Sequence, residues 1–520
     1  MPENKMIYVG KQPLTASDFY KIVYSGEQIE LDAAALTKVN ESHEFLKSFS
    51  KNKLIYGINT GFGPMAQYKI SDENQLDLQY NLIRSHCTGA GNRLSDINVK
   101  SAMICRLSSL MQGYSGINSE VVILLKDLIN KNVYPQIFEH GGVGASGDLV
   151  QLAHLALNLI GEGEVTYKGE LRPTAEVYKE AGIKPITIHL REGLALINGT
   201  SVMTGIAMVN LLHAKQLLNW SISSSMLIIE MVESYSDHFS KELHSVKPHI
   251  GQRGIANAMD KAMSSSKLIR KREDHLFDNN KHAEVDVFKD KVQEYYSIRC
   301  VPQILGPVYD TITYTQTVLE NEVNSVNDNP IIDKANNNIF HGGNFHGDYV
   351  ALEMDKLKIA ITKLTMLAER QLNFLMNDKL NGKLPPFVNL GKLGLNLGMQ
   401  AAQFTATSTT AENQMLSNPM YIHSIPNNND NQDIVSMGTN AATITAKVIE
   451  NAYQVLAIEL LSAVQAVDAL KFDEKLSSES KNTYKQIRTI VPRFEDDTIL
   501  YKKLEKVKHH LQATNTNLVN

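Results

Sequence analysis

Apolar residues recur at helical spacing along almost the whole chain, and the runs lengthen from Glu192 onward. In residues 347–378, "GDYVALEMDKLKIAITKLTMLAERQLNFLMND", the residues Leu357, Ile361, Leu364, Ala368, Leu372 and Leu375 keep one face apolar for about five turns. This predicts one long helix, which Gly382 and the Pro385-Pro386 pair then stop. A second such segment runs from about Thr439 to Leu470, with Ile444, Val448, Val455 and Ile458 at helical spacing and few charges on any side. A third is nearly continuous in apolar residues from Thr200 to about Val232. Helices beyond ~25 residues are unusual in globular proteins, and several nearly uncharged ones mark the centre of a bundle, extended across subunits.

The first part of the chain reads differently. Thr15-Ala-Ser-Asp18 and Asp96-Ile-Asn-Val look like helix openings after a short strand-like start, and the apolar spacing between them is mostly three or four. "EVTYKGELRP" at 164–173 reads as a small hairpin turning at Lys168-Gly169. The expected fold is therefore all-α: a long-helix bundle core (196–520) with a smaller, mixed but mainly helical N-terminal domain (1–195).

One apolar stretch could be mistaken for a membrane span. Residues 194–214, "LALINGTSVMTGIAMVNLLHA", lack acids, lysine and arginine but carry Asn198, Thr200, Ser201, Thr204 and Asn210. So many polar side chains would be costly in lipid, so the stretch reads as a helix buried in protein and lining something.

Charge and cysteine usage narrow the classes further. Lys and Arg total 51 against 56 Asp and Glu, a formal net charge of -5, so no positive excess points to nucleic acid. The three cysteines, Cys87, Cys105 and Cys300, are far apart and odd in number, which fits a reducing compartment better than a disulfide framework. "MPENKMIYVGKQ" has no apolar run for a signal peptide, so a cytoplasmic location is expected.

The densest chemical signal is "HGGVGASGDL" at 140–149, where Gly142, Gly144 and Gly147 spell Gly-x-Gly-x-x-Gly. A dinucleotide loop needs a buried strand before the glycines, and "NVYPQIFEH" places Pro135, Glu139 and His140 there instead. A serine elbow needs Gly-x-Ser-x-Gly, but Ser146 is followed directly by Gly147 and Asp148. A tight loop opening a helix fits the letters equally well. His341, His346 and Asp348 are a conceivable metal trio, but their spacing matches no familiar zinc signature, and no metal or nucleotide is expected.

The rest of the chain decides between these readings. "YGINTGFGP" (56–64), "GGVGASGDL" (141–149), "ALINGTSVM" (195–203), "QEYYSIRCVPQ" (293–303), "NDNP" (327–330), "GGNFHGD" (342–348) and "NQDIVSMG" (431–438) resemble, in the same order, the aromatic amino acid ammonia-lyase family. The resemblance implies that Ala145-Ser146-Gly147 cyclises to a 4-methylidene-imidazole-5-one (MIO), an electrophile made from backbone. Gly147 has no side chain to block its amide, and Ser146 can lose water to leave a methylene.

The resemblance also assigns roles. Tyr56 is the base that takes the β-proton, on a lid with Gly57, Gly61 and Gly63 as hinges. Asn198 and Tyr296 position the amine and the ring. Arg299 is the carboxylate clamp, which suits a planar guanidinium. Gln293, Asn329 and Phe345 support them. Family members are homotetramers with active sites shared between subunits.

Substrate choice rests on two places. Arg84-Ser85-His86 resembles the histidine-acting enzymes and some bacterial tyrosine-acting ones, whereas other tyrosine lyases carry His-Leu in this register. Asn431-Gln432-Asp433 resembles the phenylalanine and tyrosine enzymes, because histidine enzymes carry Gln-Glu-Asp there. A carboxylate is the natural partner for an imidazole, and here it is missing. The whole-length likeness to bacterial tyrosine ammonia-lyases implies conversion of L-tyrosine to p-coumarate and ammonia. Histidine lyase is the runner-up, followed by phenylalanine lyase or a 2,3-aminomutase using the same ring.

Overall fold

The computed structural model describes residues 6–277, 286–288 and 291–519. Its helices are α1 (Ala16–Val23), α2 (Ala33–Phe49), α3 (Gln75–His86), α4 (Asp96–Met111), α5 (Ser119–Lys131), α6 (Leu149–Leu159), α7 (Thr174–Ala181), α8 (Glu192–Ile197) and α9 (Ser201–Met231). There follow α10 (Lys241–Ser245), α11 (Ile250–Met263), α12 (Arg272–His275), α13 (Tyr296–Arg299), α14 (Val301–Val323) and α15 (Asp348–Met376). The last are α16 (Asp378–Asn381), α17 (Gln400–Leu416), α18 (Gly438–Leu470), α19 (Ser478–Ile490) and α20 (Tyr501–Ala513). The protein is predominantly helical around long helices, as the periodicity predicts.

Local chemistry explains where helices begin and end. Thr15 caps α1 in a reciprocal box: its Oγ1 accepts from the Asp18 N–H, and Asp18 Oδ2 accepts from the Thr15 N–H at 3.0 Å. Ser95 caps α4 one way only, its Oγ accepting from the Asn98 N–H. After α15 the chain takes a new cap at Asn377, runs one turn as α16 and stops at Gly382, whose φ is +64°. Along α15 the predicted stripe Leu357, Ile361, Leu364, Ala368, Leu372 and Leu375 is buried throughout. The long helix α18 is apolar enough to cross a membrane by length and composition, and most of its apolar window is buried inside the protein.

The strands are short. β1 (Ile7–Val9) pairs in parallel with β2 (Ile29–Leu31), and β3 (Ala90–Arg93) pairs antiparallel with β5 (Phe138–His140). β4 (Tyr134–Pro135) pairs with β6 (Glu164–Tyr167), which turns through Lys168-Gly169 into β7 (Glu170–Pro173) as a hairpin. β8 (Ile331–Asp333) and β9 (Asn338–Phe340) form a last hairpin.

Contacts divide the chain into two compact units. The first comprises residues 1–212, 315–355 and 419–446; the second comprises 213–314, 356–418 and 447–520. The expected boundary near residue 195 falls inside the first unit, in α8. In the first unit Asn198, Thr200, Ser201, Thr204 and Asn210 of the 194–214 stretch are buried; Thr204 Oγ1 bonds the Thr200 carbonyl, and Asn210 Nδ2 donates to Ala442 O at 2.8 Å.

In the second unit Glu230 on α9 binds the Ser266, Ser477 and Ser480 hydroxyls and the Ser477 N–H, which fixes the start of α19. Glu459 on α18 is fully buried, and burial pushes its carboxyl up to about 8 against the pull of the neighbouring Ser224 hydroxyl. The fold thus buries a neutral acid. Stability from this group is complete below the ordinary value of 4.5 and is lost as pH rises through about 8. Glu459→Gln is expected to melt with wild-type protein at pH 4.5 and above it at pH 9, by on the order of 1 °C or more. Equal melting temperatures at both pH values, followed by calorimetry or circular dichroism, would refute this.

Candidate functional site

In the first unit, a cavity of about 990 Å³ gathers residues from seven separate stretches of sequence. Among its walls are Tyr56, Ser85, His86, Ser146, Asn198, Asn329, Phe345, Asn431 and Gln432, all singled out above. Ala145 and Gly147 flank Ser146, and Ala145 is buried.

The loop before α6 is built around Ser146. The Gly144 N–H donates to the Gly147 carbonyl at 3.2 Å, so residues 144–147 already close into a turn with the Ala145-Ser146-Gly147 peptides at its apex. Gly147 has φ +72° and pairs with Gly199 as a parallel bridge. A Cβ at Gly147 would stand 1.9 Å from the Gly199 carbonyl oxygen. The tripeptide therefore has the curvature, and at Gly147 the bare amide, that closing a ring on itself requires.

Donors converge on Ser146. Asn198 Nδ2 donates to its carbonyl oxygen at 3.0 Å, and the Gly199 N–H donates to the same oxygen at 3.4 Å. Gln432 Nε2 donates to Ser146 Oγ at 3.0 Å. Asn198 is itself fixed, since its Oδ1 accepts from the Asn329 N–H at 2.8 Å, and Asn329 Oδ1 accepts from Gly342 N–H at 2.8 Å. Two N–H groups on one carbonyl oxygen stabilise electron density drawn onto it.

Asp148, the next residue, is fully buried and ties three helix starts together. Its N–H donates to the Gly199 carbonyl at 2.8 Å. One carboxylate oxygen accepts from the Val202 and Met203 N–H groups at the start of α9, and the other accepts from Thr439 at the start of α18. Burial pushes its carboxyl up to about 6, while these hydrogen bonds and the Arg106 guanidinium pull the other way.

Across the cavity, the Gly63 N–H donates to the Tyr56 hydroxyl at 3.1 Å, and the Phe62 ring meets the Tyr56 ring edge-on at 6.2 Å. Helix α3 presents Leu78, Asn81, Leu82, Ser85 and His86 on one face. His86 Nδ1 lies 2.8 Å from the Leu82 carbonyl oxygen. A carbonyl can only accept, so this contact calls for a proton on Nδ1, and in that tautomer Nε2 is the ring's acceptor. His341 also lines the wall, and burial, then the Arg191 guanidinium, push its pKa down, so it is neutral at pH 7.

Three predicted residues lie elsewhere. Gln293, Tyr296 and Arg299 belong to the second unit and are not among the cavity-lining residues. Gln293 is exposed, Tyr296 is 70% exposed, and the Arg299 guanidinium sits 4.8 Å from the Tyr296 ring centroid. Of the conceivable metal trio, His346 Nδ1 lies 3.1 Å from Asp348 Oδ2, and His341 lines the cavity.

Sequence reasoning missed Leu78, Asn81 and Leu82, although Asn81 and Leu82 lie one helical turn before Ser85 and His86, and Leu78 two turns before, which carried the signal. It also missed Phe62, Asn428 and Asn429, and it singled out His341 only as part of a conceivable metal trio.

Comparison with known proteins agrees with this geometry. A profile of the family described as "Aromatic amino acid lyase" matches residues 14–489. Tyrosine 2,3-aminomutase from Chondromyces crocatus is 38% identical over 500 residues, covering 95% of this chain and 94% of that protein. Histidine ammonia-lyase from Caldanaerobacter subterraneus subsp. tengcongensis is 39% identical over 498 residues, covering 96% and 94%. Among solved structures, tyrosine aminomutase from Streptomyces globisporus superposes with a TM-score of 0.94 at 35% identity, covering 98% of this chain and 97% of that one.

The contact at Gly147 makes a sharp expectation. Gly147→Ala should leave residues 145–147 at their unmodified mass and lower activity by ~10²-fold or more, because the added methyl forces the loop away from Gly199. Peptide mass spectrometry checks it; a fully cyclised, active variant would contradict the assignment.

Proposed function

Because the chain belongs to the aromatic amino acid lyase family, we propose that it acts on L-tyrosine and eliminates ammonia to give p-coumarate. The prosthetic group is the family's methylidene-imidazolone, formed from Ala145-Ser146-Gly147 with loss of two waters. It supplies an electrophilic carbon that bonds the substrate amine and turns it into a leaving group. The protein's own side chains do the rest. Asn198 and the Gly199 N–H hold the Ser146 carbonyl oxygen, and Tyr56, oriented by Gly63, takes the β-proton.

The observation that carries the substrate reading is the 2.8 Å contact between His86 Nδ1 and the Leu82 carbonyl oxygen. With its Nδ1–H spent on Leu82, Nε2 can accept a phenolic O–H, a bond that phenylalanine cannot make. Gln432 offers an amide where an imidazole substrate would call for a carboxylate, which counts against histidine. Ser85, Asn431, Asn329 and Phe345 complete the walls.

No lysine or arginine is among the cavity-lining residues, yet an amino acid brings a carboxylate. We assign its clamp to Arg299, with Tyr296 and Gln293 beside it, supplied by a neighbouring subunit of a homotetramer.

A second reading is 2,3-aminomutase, favoured by the names of the tyrosine-acting relatives. It shares the elimination and differs in retaining p-coumarate until ammonia adds back at the β-carbon.

Product analysis after separate incubation with tyrosine, phenylalanine and histidine tests all of this. p-Coumarate from tyrosine is expected, with tyrosine preferred to phenylalanine by roughly 10²-fold. β-Tyrosine accumulating first selects the aminomutase, and urocanate alone overturns the substrate assignment. His86→Phe should lower kcat/KM for tyrosine by roughly 10²-fold while sparing phenylalanine. Tyr56→Phe should lose ~10²–10⁴ in kcat while its 145–147 peptide remains two waters light.

A further inference from the structure

The Asn198–Gly199 turn has a cation behind it. Arg106, on α4, is fully buried. Its Nη2 donates to the Ala195 carbonyl in the last turn of α8, three residues before Asn198. Its Nη1 packs against Gly199 so closely that a Cβ there would stand 2.6 Å from it. Asn327 Oδ1 closes the same space, at 2.5 Å from that Cβ. Neither Nη1 nor Nε has a hydrogen-bond partner among the described residues.

This is a costly arrangement. Burial pushes the guanidinium down to about 10, with Asp328 pulling it up and Arg191 pushing it further down. Asp328 is already engaged, paired with the buried Arg191 at 3.0 Å. Capping one helix carbonyl does not require a full charge, since a neutral amide could do it. What the charge adds is a positive field directly under the turn whose two N–H groups hold the Ser146 oxygen. In a site of low dielectric such a field is worth far more than in water.

Resting on the reading above, we propose that Arg106 is a positioning residue for the elimination, one that fixes the Asn198–Gly199 turn and stabilises, from behind, electron density drawn onto the Ser146 carbonyl oxygen. The reaction therefore depends on a cation that touches neither substrate nor ring.

The test compares Arg106→Met, Arg106→Gln and Arg106→Lys by three readouts: the mass of the 145–147 peptide, the kcat and KM values, and the rate at which cyanide bleaches the ring's near-ultraviolet absorption. Cyanide addition needs neither Tyr56 nor substrate binding. In Arg106→Met the ring is expected at wild-type occupancy with KM within about twofold, while kcat and the cyanide rate both fall by about tenfold or more. Arg106→Lys should recover most of both.

If Arg106→Met does not fold, Arg106→Gln carries the same comparison, because it removes the charge while keeping an amide donor. A cyanide rate within about threefold of wild type in the uncharged variant overturns the proposal. So does a well-folded Arg106→Lys as impaired as Arg106→Met, or an uncharged variant that melts normally but lacks the ring. If wild-type protein itself shows neither the two-water loss nor a cyanide-sensitive absorption, the functional reading fails before Arg106 is tested.

Discussion

The site hangs on two glycine backbones pressed together. Gly147 tolerates no side chain against the Gly199 backbone, Gly199 tolerates none against Asn327 and Arg106 behind it, and the peptide groups on either side of the Gly147–Gly199 contact exchange their hydrogen bonds. Ser146 gives its carbonyl to Gly199 and Asn198, and Asp148 gives its N–H back to Gly199. Loosening the contact would move the reactive peptide and its donors together. Its tightness is what lets a backbone segment act as a reagent.

Asp148 carries that local contact into the architecture. Through one buried carboxyl it fastens the first turns of α9 and α18 to the reactive loop, so the long helices are more than packing material. Their N-termini converge at the loop, where the positive ends of helix dipoles favour negative charge. The buried acid costs stability on its own account, and the bonds it makes offset part of that cost.

Much of this was legible in the sequence because its causes are local. The face of α15, the Thr15–Asp18 cap and the Lys168-Gly169 hairpin each follow from residues a few positions apart. Family likeness supplied the residues that chemistry needs, and nine of them line one cavity. What could not be read was return. Segments 315–355 and 419–446 fold with 1–212, and so bring Asn329, Phe345 and Gln432 to Ser146. Helical period says which face of a segment is buried but not which distant segment buries it. Arg106 was invisible for the same reason, since its meaning comes from Gly199 and Ala195 rather than from its neighbours on α4.

The loop around Gly144 has a consequence for how the protein comes into being. Its Gly144 carbonyl is held by the Gly347 N–H and by Ser436 Oγ, the latter 292 positions further along the chain. During synthesis the tripeptide leaves the ribosome as ordinary polypeptide and waits while more than half of the chain is still being made. The clamp that bends it cannot exist until residue 436 has emerged and packed. Copies that stop before residue 436 or misfold would lack that clamp, so chemical maturation would report that the chain has been made past this point and folded.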